Sequence, residues 1–176
     1  TKIQLKKYHT ELVKFNKVLN LVSQKTLLQS DIVHFSDSAL SAEIVLKKAN
    51  KNKTLYDIGS GNGFPGLVFG IVDREQKITL IDVDQRKCEF LKHTAAVLGL
   101  TNVDVLNINI EKIEEGLIQQ AVMRGYAPIA RVLLTLRKTV STGGSIFHMK
   151  SDDWSLELSQ VPSQLFSVWQ TTLLGD

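Results

Sequence analysis

The sequence predicts an α/β fold: a mostly parallel sheet covered by helices, preceded by a helical, basic extension. Three observations predict it. From about Thr54 onward, apolar strand-like runs alternate with helical ones. Such alternation implies a parallel sheet with helices on both faces. Near the start of this region, Asp57-Ile58-Gly59-Ser60-Gly61-Asn62-Gly63-Phe64-Pro65-Gly66 follows the apolar Leu55-Tyr56 and precedes the run Leu67 to Val72. A strand enters a glycine loop there and a helix leaves it. Ahead of this unit, Leu5, Tyr8, Leu12, Phe15 and Leu19 recur at steps of three and four, one face of an amphipathic helix.

That first helix carries Lys6, Lys7, Lys14 and Lys17 off its apolar stripe, so the stripe reads as core packing. Asn20 and Ser23-Gln24-Lys25 read as a break. A second helix is expected from about Ser30 to Lys48, and Lys47 to Thr54 is a polar, basic linker. The chain thus divides into an extension, residues 1–53, and an α/β domain, residues 54–176. Strands are expected at Leu55–Gly59, Ile78–Asp82, Val103–Asn107, Ala121–Met123, Ser145–Met149 and Ser167–Leu174. Helices are expected at Pro65–Asp73, Gln85–Leu98, Glu111–Gln119, Ile129–Val140 and Asp153–Ser159. In such sheets a ligand lies beyond the strand C-termini at the switch point. Asp57 and Asp82 both stand at such ends.

With 176 residues and 43% hydrophobic content, the chain suits one α/β domain with a modest extension. No apolar run reaches the roughly 18 residues that span a bilayer, and no signal-peptide pattern is present. The single cysteine, Cys88, excludes an internal disulfide and suits a reducing cytosol. A cytoplasmic, monomeric protein is expected. One cysteine and four histidines give no zinc spacing, so no metal is expected. The net charge of +3 is unevenly spread. Residues 1–56 hold ten Lys and four acids, while the remainder holds eleven Lys or Arg and fourteen acids. A basic module beside a slightly acidic one suits a polyanionic substrate. A solvated Lys-rich helix surface explains the same charge.

The loop has its own chemistry. Glycines let the backbone turn with positive φ and let a ligand approach closely. A helix N-terminus beyond them offers unpaired N–H groups. Acids at two strand ends around a glycine loop suit a ligand with a cationic amino acid at one end and a ribose at the other. S-adenosylmethionine has that shape, and Asp82 would take the ribose hydroxyls. Gly61-Asn62-Gly63-Phe64-Pro65-Gly66 also spells the dinucleotide fingerprint. Here, however, the strand ends two residues earlier and carries an acid where a pyrophosphate would be repelled. A plain glycine turn is the remaining alternative.

The acceptor side is read from Met123-Arg124-Gly125-Tyr126-Ala127-Pro128, after the fourth strand. It lacks the Asn/Asp-Pro-Pro-aromatic motif that grips an exocyclic amine. It lacks a Pro-Cys nucleophile, and Cys88 lies far from this position. It lacks the acid of a catechol-type magnesium site. An arginine suits a proton-free acceptor in nucleic acid, such as guanine N7, and a bidentate guanidinium can hold a phosphate or a guanine edge. Arg124 is therefore the candidate catalytic residue. The alternative is a salt bridge to a neighbouring acid such as Asp57.

The loop, with its Phe-Pro-Gly tail, resembles that of the ribosomal RNA small-subunit methyltransferase G family, also called glucose-inhibited division protein B. Other segments match in order. Lys14-Phe15-Asn16-Lys17-Val18-Leu19-Asn20-Leu21-Val22-Ser23 resembles the family's Lys-Trp-Asn-Lys-x-x-Asn-Leu-Thr-Ser. His34-Phe35-Ser36-Asp37-Ser38 resembles its His-x-x-Asp-Ser, and Arg124-Gly125-Tyr126-Ala127-Pro128 its Arg-Ala-x-Ala-Pro. Lys150 resembles the Lys that ends its fifth strand. The likeness covers nearly the whole chain.

The resemblance implies a Rossmann-like class I S-adenosylmethionine-dependent methyltransferase that acts on N7 of one guanine in 16S ribosomal RNA. The partner would be that RNA or the assembling small ribosomal subunit. The implied cofactor contacts are Gly59, Phe64, Ile110, Glu111 and Arg124. The loop chemistry adds Asp57, Gly61, Gly63 and Asp82. Core packing explains Phe64 equally well, and a helix-start acid explains Glu111. Lys14, Lys17, Arg86 and Lys150 are the candidate RNA contacts. His34 and Asp37, three apart on a helix, would pin the extension onto the catalytic domain. Phe15 stands where the family has Trp, Val22 where it has Thr, and Gly125 where it usually has Ala, which loosens that loop. The family adds a hairpin and one more strand beyond the point where this sequence stops. A missing last strand would expose a sheet edge. Two alternatives stay open: a small-molecule methyltransferase of the same fold, and a non-catalytic RNA-binding module.

Overall fold

This computed structural model describes residues 1–23, 31–151, 153–167, 169, 170 and 172. Helix α1 spans Lys2–Leu19 and buries Tyr8, Leu12 and Asn16. Leu5, Phe15 and Leu19 pack against the same core, so the apolar stripe is packing. The helix ends at Asn20, whose φ of 49° is left-handed, a conformation Asn tolerates better than most residues. The buried Asn16 side chain accepts from the Val22 N–H at 2.8 Å and secures the turn. The next helical segment begins as a π-helical turn, Asp31–Ser36, and continues as α2, Asp37–Lys48. Ser30, Gln24 and Lys25 lie outside the described residues.

Five parallel strands follow: β1 (Leu55–Ile58), β2 (Ile78–Asp82), β3 (Val103–Asn107), β4 (Ile118–Arg124) and β5 (Val140–Met149). Their order is β3-β2-β1-β4-β5, so the chain reverses direction of growth between β1 and β4, as in a Rossmann-like sheet. Helices α3 (Gly66–Val72) and α4 (Gln85–Val97) join α1 and α2 in one buried cluster. Helix α5 (Ile129–Leu136) and a 3₁₀ turn, Ile110–Lys112, contribute to a second cluster. Helix α6 (Trp154–Ser159) lies beside α5.

The departures from the expected elements have local causes. Strand β4 starts before the expected Ala121 because Gln120, polar but 4% exposed, spends its amide on Asn50 and Lys53 carbonyls. Strand β5 starts at Val140, before the expected Ser145, and a register shift against β4 absorbs Gly143-Gly144. The expected helix Glu111–Gln119 is only the 3₁₀ turn, after which Gly116, at φ 71°, turns the chain toward β4. Helix α5 stops at Leu136, not Val140, because the Thr139 carbonyl accepts from Ile118 N–H at the start of the β4–β5 pairing. Within the expected strand Ser167–Leu174, Ser167 closes a 3₁₀ turn and Trp169, Gln170 and Thr172 lie in no strand. Residues 168, 171, 173 and 174 lie outside the described residues.

Tyr8, Leu12, Phe35, Ala42, Val45 and Leu46 share one buried cluster with Leu55, Leu67, Leu80 and Phe90. Residues of the 1–53 segment therefore finish the core of the sheet. Tyr8 and Leu12 are both 0% exposed, and burial of such side chains is worth about 1.5–3 kcal/mol each. Leu12→Ala should lower unfolding stability by roughly 2–5 kcal/mol. Denaturant melts followed by helical circular dichroism and by tryptophan fluorescence should stay coincident, since Trp169 packs against the other core clusters and Trp154 begins α6, away from the first helices in sequence. An earlier helical transition would mean that the first helices melt independently.

Candidate functional site

The glycine loop is stitched to the sheet by its own acids. Asp57, in β1, is 1% exposed. Its Oδ2 accepts from Ser60 Oγ at 2.7 Å and from Gly66 N–H at 3.0 Å. Its Oδ1 is buried and has no hydrogen-bond partner among the described residues. Burial pushes the Asp57 carboxyl up to about 6, against the opposing pull of Ser60, Gly66 and the Arg124 charge. Gly59 and Ser60 donate backbone N–H groups to the Ile81 carbonyl at 2.9 and 3.0 Å, and Gly63 donates to Ser60 O at 2.7 Å. Gly61 donates to Asp82 Oδ2 at 2.8 Å. Gly59, at φ 72°, needs its missing side chain: a Cβ there would run into the Tyr126 ring. A Cβ on Gly66 would run into Leu80 and Asp57.

Asp82 closes β2 and is 8% exposed. Its other oxygen accepts from Asp84 N–H at 2.9 Å. Each carboxylate oxygen has a further lone pair for a ligand hydroxyl. After β3, Asn109 caps the 3₁₀ turn by accepting from Glu111 N–H at 3.0 Å. The Ile110 side chain enters the second core cluster, whereas Glu111 is exposed. Tyr126 joins these parts. Burial, then Glu111 and more weakly Asp82, raise its hydroxyl above the ordinary value, with Arg131 opposing. Gly59, Asp82, Glu111 and Tyr126 thus meet at one rim of the sheet.

Arg124 ends β4 and is paired, though not with Asp57. Its Nη1 lies 3.2 Å from Asp37 Oδ2, and its Nη2 lies 3.0 Å from His34 Nδ1. Its guanidinium stands 5.4 Å over the Phe64 ring. The donor Nη2 requires His34 Nδ1 to accept, which leaves the imidazole proton on Nε2. That Nε2 is buried without a partner among the described residues. The His34–Asp37 pair therefore does meet the catalytic domain, through Arg124. Phe64 is 2% exposed, stacked on Tyr8 at 4.9 Å and on His34 at 5.1 Å, with Phe35 edge-on at 4.8 Å. Its ring thus takes part in core packing, beside the groove that Gly59, Gly61 and Arg124 also line.

The candidate RNA cations divide. Lys14, Lys17 and Arg86 are exposed. Lys14 lies 3.9 Å from Glu11 and over the Phe15 ring, and Arg86 lies 3.6 Å from Asp84. Lys150 corrects the expectation. Its Nζ donates to Ala127 O at 3.0 Å and pairs with Glu157 Oε2 at 2.7 Å, leaving the side chain 14% exposed. Glu157 also accepts from Ile129 N–H at 3.0 Å. Lys150 is committed to clamping the loop after β4 rather than presented to phosphate. Among the described residues no group of three His, Cys, Asp or Glu is placed to hold a metal, and no helix is long and apolar enough to cross a membrane.

Sequence reasoning missed three contributors. The Tyr8 hydroxyl donates to Asn62 O at 2.6 Å and braces the loop. A phenol on an apolar stripe was the available signal, since a buried Tyr hydroxyl seeks an acceptor. Tyr126 stood in the acceptor motif as an aromatic without a role. Glu157 carried no signal, because a charge on a short helix reads as solvated.

One buried carboxyl and two half-buried imidazoles tie stability to pH. His34 and His148 are each held down to about 4, first by burial and then by Arg124 and Lys150 respectively. A depressed histidine stabilises the fold above its unfolded value of 6.5, and that contribution is lost as pH falls through the folded value near 4. Asp57 runs the other way: its folded value of about 6 exceeds 3.8, so the fold gains as pH falls across that window. Two losses outweigh one gain. The urea midpoint should fall between about pH 7 and 4.5 in the wild type. The fall should be steeper in Asp57→Asn and shallower in His34→Gln or His148→Gln. A midpoint that rises on acidification would show that Asp57 governs instead.

Residues 1–171 match the family described as rRNA small subunit methyltransferase G. Ribosomal RNA small subunit methyltransferase G 3 of Bdellovibrio bacteriovorus is 43% identical over 173 residues, which cover 98% of this chain and 78% of that protein. Ribosomal RNA small subunit methyltransferase G of Halorhodospira halophila is 29% identical over 154 residues, 88% of this chain and 71% of that one. Among solved structures, coclaurine N-methyltransferase bound to N-methylheliamine and SAH superposes with a TM-score of 0.53 at 17% identity, over 71% of this chain and 42% of that one, a likeness of fold alone. The stitched glycine loop, both strand-end acids and Arg124 all fall inside the matched span, and this chain belongs to the rRNA small subunit methyltransferase G family.

Proposed function

We propose that this chain methylates N7 of a guanine in 16S ribosomal RNA, with S-adenosylmethionine as methyl donor. The observation that carries the reading is the acid–glycine–acid rim at the ends of β1 and β2, in a chain of this family. The residues fit the cofactor. Asp57 Oδ1 is a buried acceptor without a partner, placed for a cationic amine. Asp82 has lone pairs left for adjacent hydroxyls, the loop backbone is open at Gly61, and Gly59 becomes approachable once the Tyr126 ring moves aside. Phe64, Ile110 and Glu111 complete the proposed contacts, Ile110 through its backbone. When bound, S-adenosylmethionine supplies an electrophilic methyl on a sulfonium, and in-line transfer needs positioning above all.

The chain's own groups suit an acceptor without a proton. His34 is held unprotonated with its Nδ1 engaged by Arg124, and Asp57 is held at the foot of the loop by Ser60 and Gly66. Neither is a mobile general base. Guanine N7 presents a ready lone pair and needs none. Arg124 is oriented by Asp37 and His34, and its remaining N–H groups can hold a guanine edge or phosphate. Lys14, Lys17 and Arg86 would meet the RNA backbone. The protein acts as a cytoplasmic monomer on the RNA or the assembling small subunit.

Incubation with labelled S-adenosylmethionine and 16S RNA, followed by mapping of the modified base, tests the assignment. Label on a small molecule only, or tight NADH binding, would sink it. Single-turnover rates at saturating cofactor should show no essential ionisation across neutral pH. Arg124→Lys should lower that rate roughly tenfold or more, because a point charge cannot replace the planar fork. His34→Ala and Asp37→Asn should give smaller falls by loosening Arg124. Neutralising Lys14 and Lys17 should weaken RNA binding and flatten its salt dependence, with cofactor affinity unchanged. A salt-independent RNA affinity in the wild type would reduce that basic face to a solvated surface.

A further inference from the structure

Tyr126 occupies an unusual place. Its ring lies flush on the backbone of Gly59: a Cβ there would meet ring carbons, with Cε2 at 3.2 Å and Cγ at 3.3 Å. Gly59 is the glycine on which the cofactor reading depends. Yet Tyr126 is not part of either core cluster around it. It is 37% exposed, and no hydrogen bond holds its hydroxyl among the described residues. The residues on either side are fixed. Arg124 is held by Asp37 and His34, and Ala127 by Lys150. Between them Gly125 sits at φ 63° in open space. The loop is pinned on both sides, and Gly125 and Tyr126 lie between the anchors.

From this we propose that Tyr126 links the cofactor and RNA sites. Its ring covers Gly59 in one arrangement of the loop, yields that face to the cofactor in another, and then stacks on the target guanine beside Arg124. The inference rests on the cofactor reading above. Ring and ligand cannot share the Gly59 face, and the ring leaves only van der Waals contacts behind. An aromatic face next to a guanidinium is a suitable platform for a splayed base. The chemistry adds a reason. The N7 lone pair forms the new N–C bond while the S–C bonding pair returns to sulfur, so the positive charge moves onto the purine. A cation over a tyrosine face is stabilised by the ring quadrupole.

The test compares wild type, Tyr126→Phe and Tyr126→Ala, each checked by thermal melting. S-adenosylhomocysteine affinity is measured by calorimetry. Affinity for a 16S RNA transcript is measured with and without it, and single-turnover methylation at saturating ligands. In the wild type the two ligands should bind cooperatively, since one displaces the group that the other uses. Tyr126→Ala should bind S-adenosylhomocysteine roughly three- to tenfold tighter, because no closed state competes. It should lose the cooperativity and fall about tenfold or more in single-turnover rate, the size expected for a lost stacking platform. Tyr126→Phe, which keeps the ring face, should retain more of the rate and of the cooperativity than Tyr126→Ala. Unchanged or weaker cofactor affinity in Tyr126→Ala overturns the cover. An unchanged rate, or a Phe variant as poor as Ala, overturns the stacking role. Wild-type protein that binds no S-adenosylhomocysteine overturns the cofactor reading itself, a result distinct from the others.

Discussion

The Arg124 guanidinium lies between Asp37, His34 and the Phe64 ring, and the shape of the site depends on that placement. It joins three stretches distant in sequence: the helical segment before the sheet, the glycine loop after β1, and the end of β4. Each is anchored again nearby. Phe64 stacks on Tyr8, Tyr8 donates to Asn62 in the loop, and Phe35 packs on both rings. The first helices are therefore more than a basic handle for a polyanion. They set the position of the Arg124 guanidinium at the end of β4. Arg suits this task better than Lys, since its planar fork can satisfy Asp37 and His34 and still present further donors.

The electrostatics of the loop point the same way. Asp57 is a carboxylate taken out of water, and its two hydrogen bonds and the Arg124 charge do not restore its ordinary acidity. Asp82 adds a like charge to the strain on it. A buried acid with one unpartnered oxygen is costly to a fold. It makes physical sense where a cationic group arrives to relieve it. Asp82 differs: both of its oxygens already accept from loop N–H groups, so it shapes the loop before it meets any ligand. The two acids thus divide the work, one under tension within the loop and one bracing it from the next strand.

Much of this was legible in the sequence, and the illegible parts share a cause. Strands β1, β2 and β3 announce themselves as short apolar-rich runs, the second and third closed by Asp82 and Asn107. Strand β4 hid its start because Gln120 is polar yet buried, satisfied by carbonyls seventy residues away in the case of Asn50. Strand β5 hid its start behind Gly143-Gly144, which read as a turn and proved to be an irregularity within the strand. The expected helix at 111–119 failed because its apolar spacing is interrupted at Gly116. In the candidate site, Asp57, Gly59 and Arg124 could be nominated from two short motifs, and Asp82 from its place at the end of an apolar run. Tyr8, Tyr126 and Glu157 were not, because each acts across the fold on a partner its local sequence does not reveal.

Lys150 shows how a correct motif can carry a wrong role. Read as a cation, it belongs to the RNA; read in three dimensions, it is a part of the scaffold. Its ammonium satisfies Ala127 O and Glu157, and Glu157 in turn caps Ile129 at the start of α5. A lysine is apt here because three tetrahedral donors can reach a carbonyl and a carboxylate that do not share a plane. The result is a loop with unequal stiffness. At one end Arg124 is locked to the first helices. At the other Ala127 is locked to β5 and α6. Only Gly125 and Tyr126 lie between the two locks, and Tyr126 is the side chain there that lies on the glycine loop.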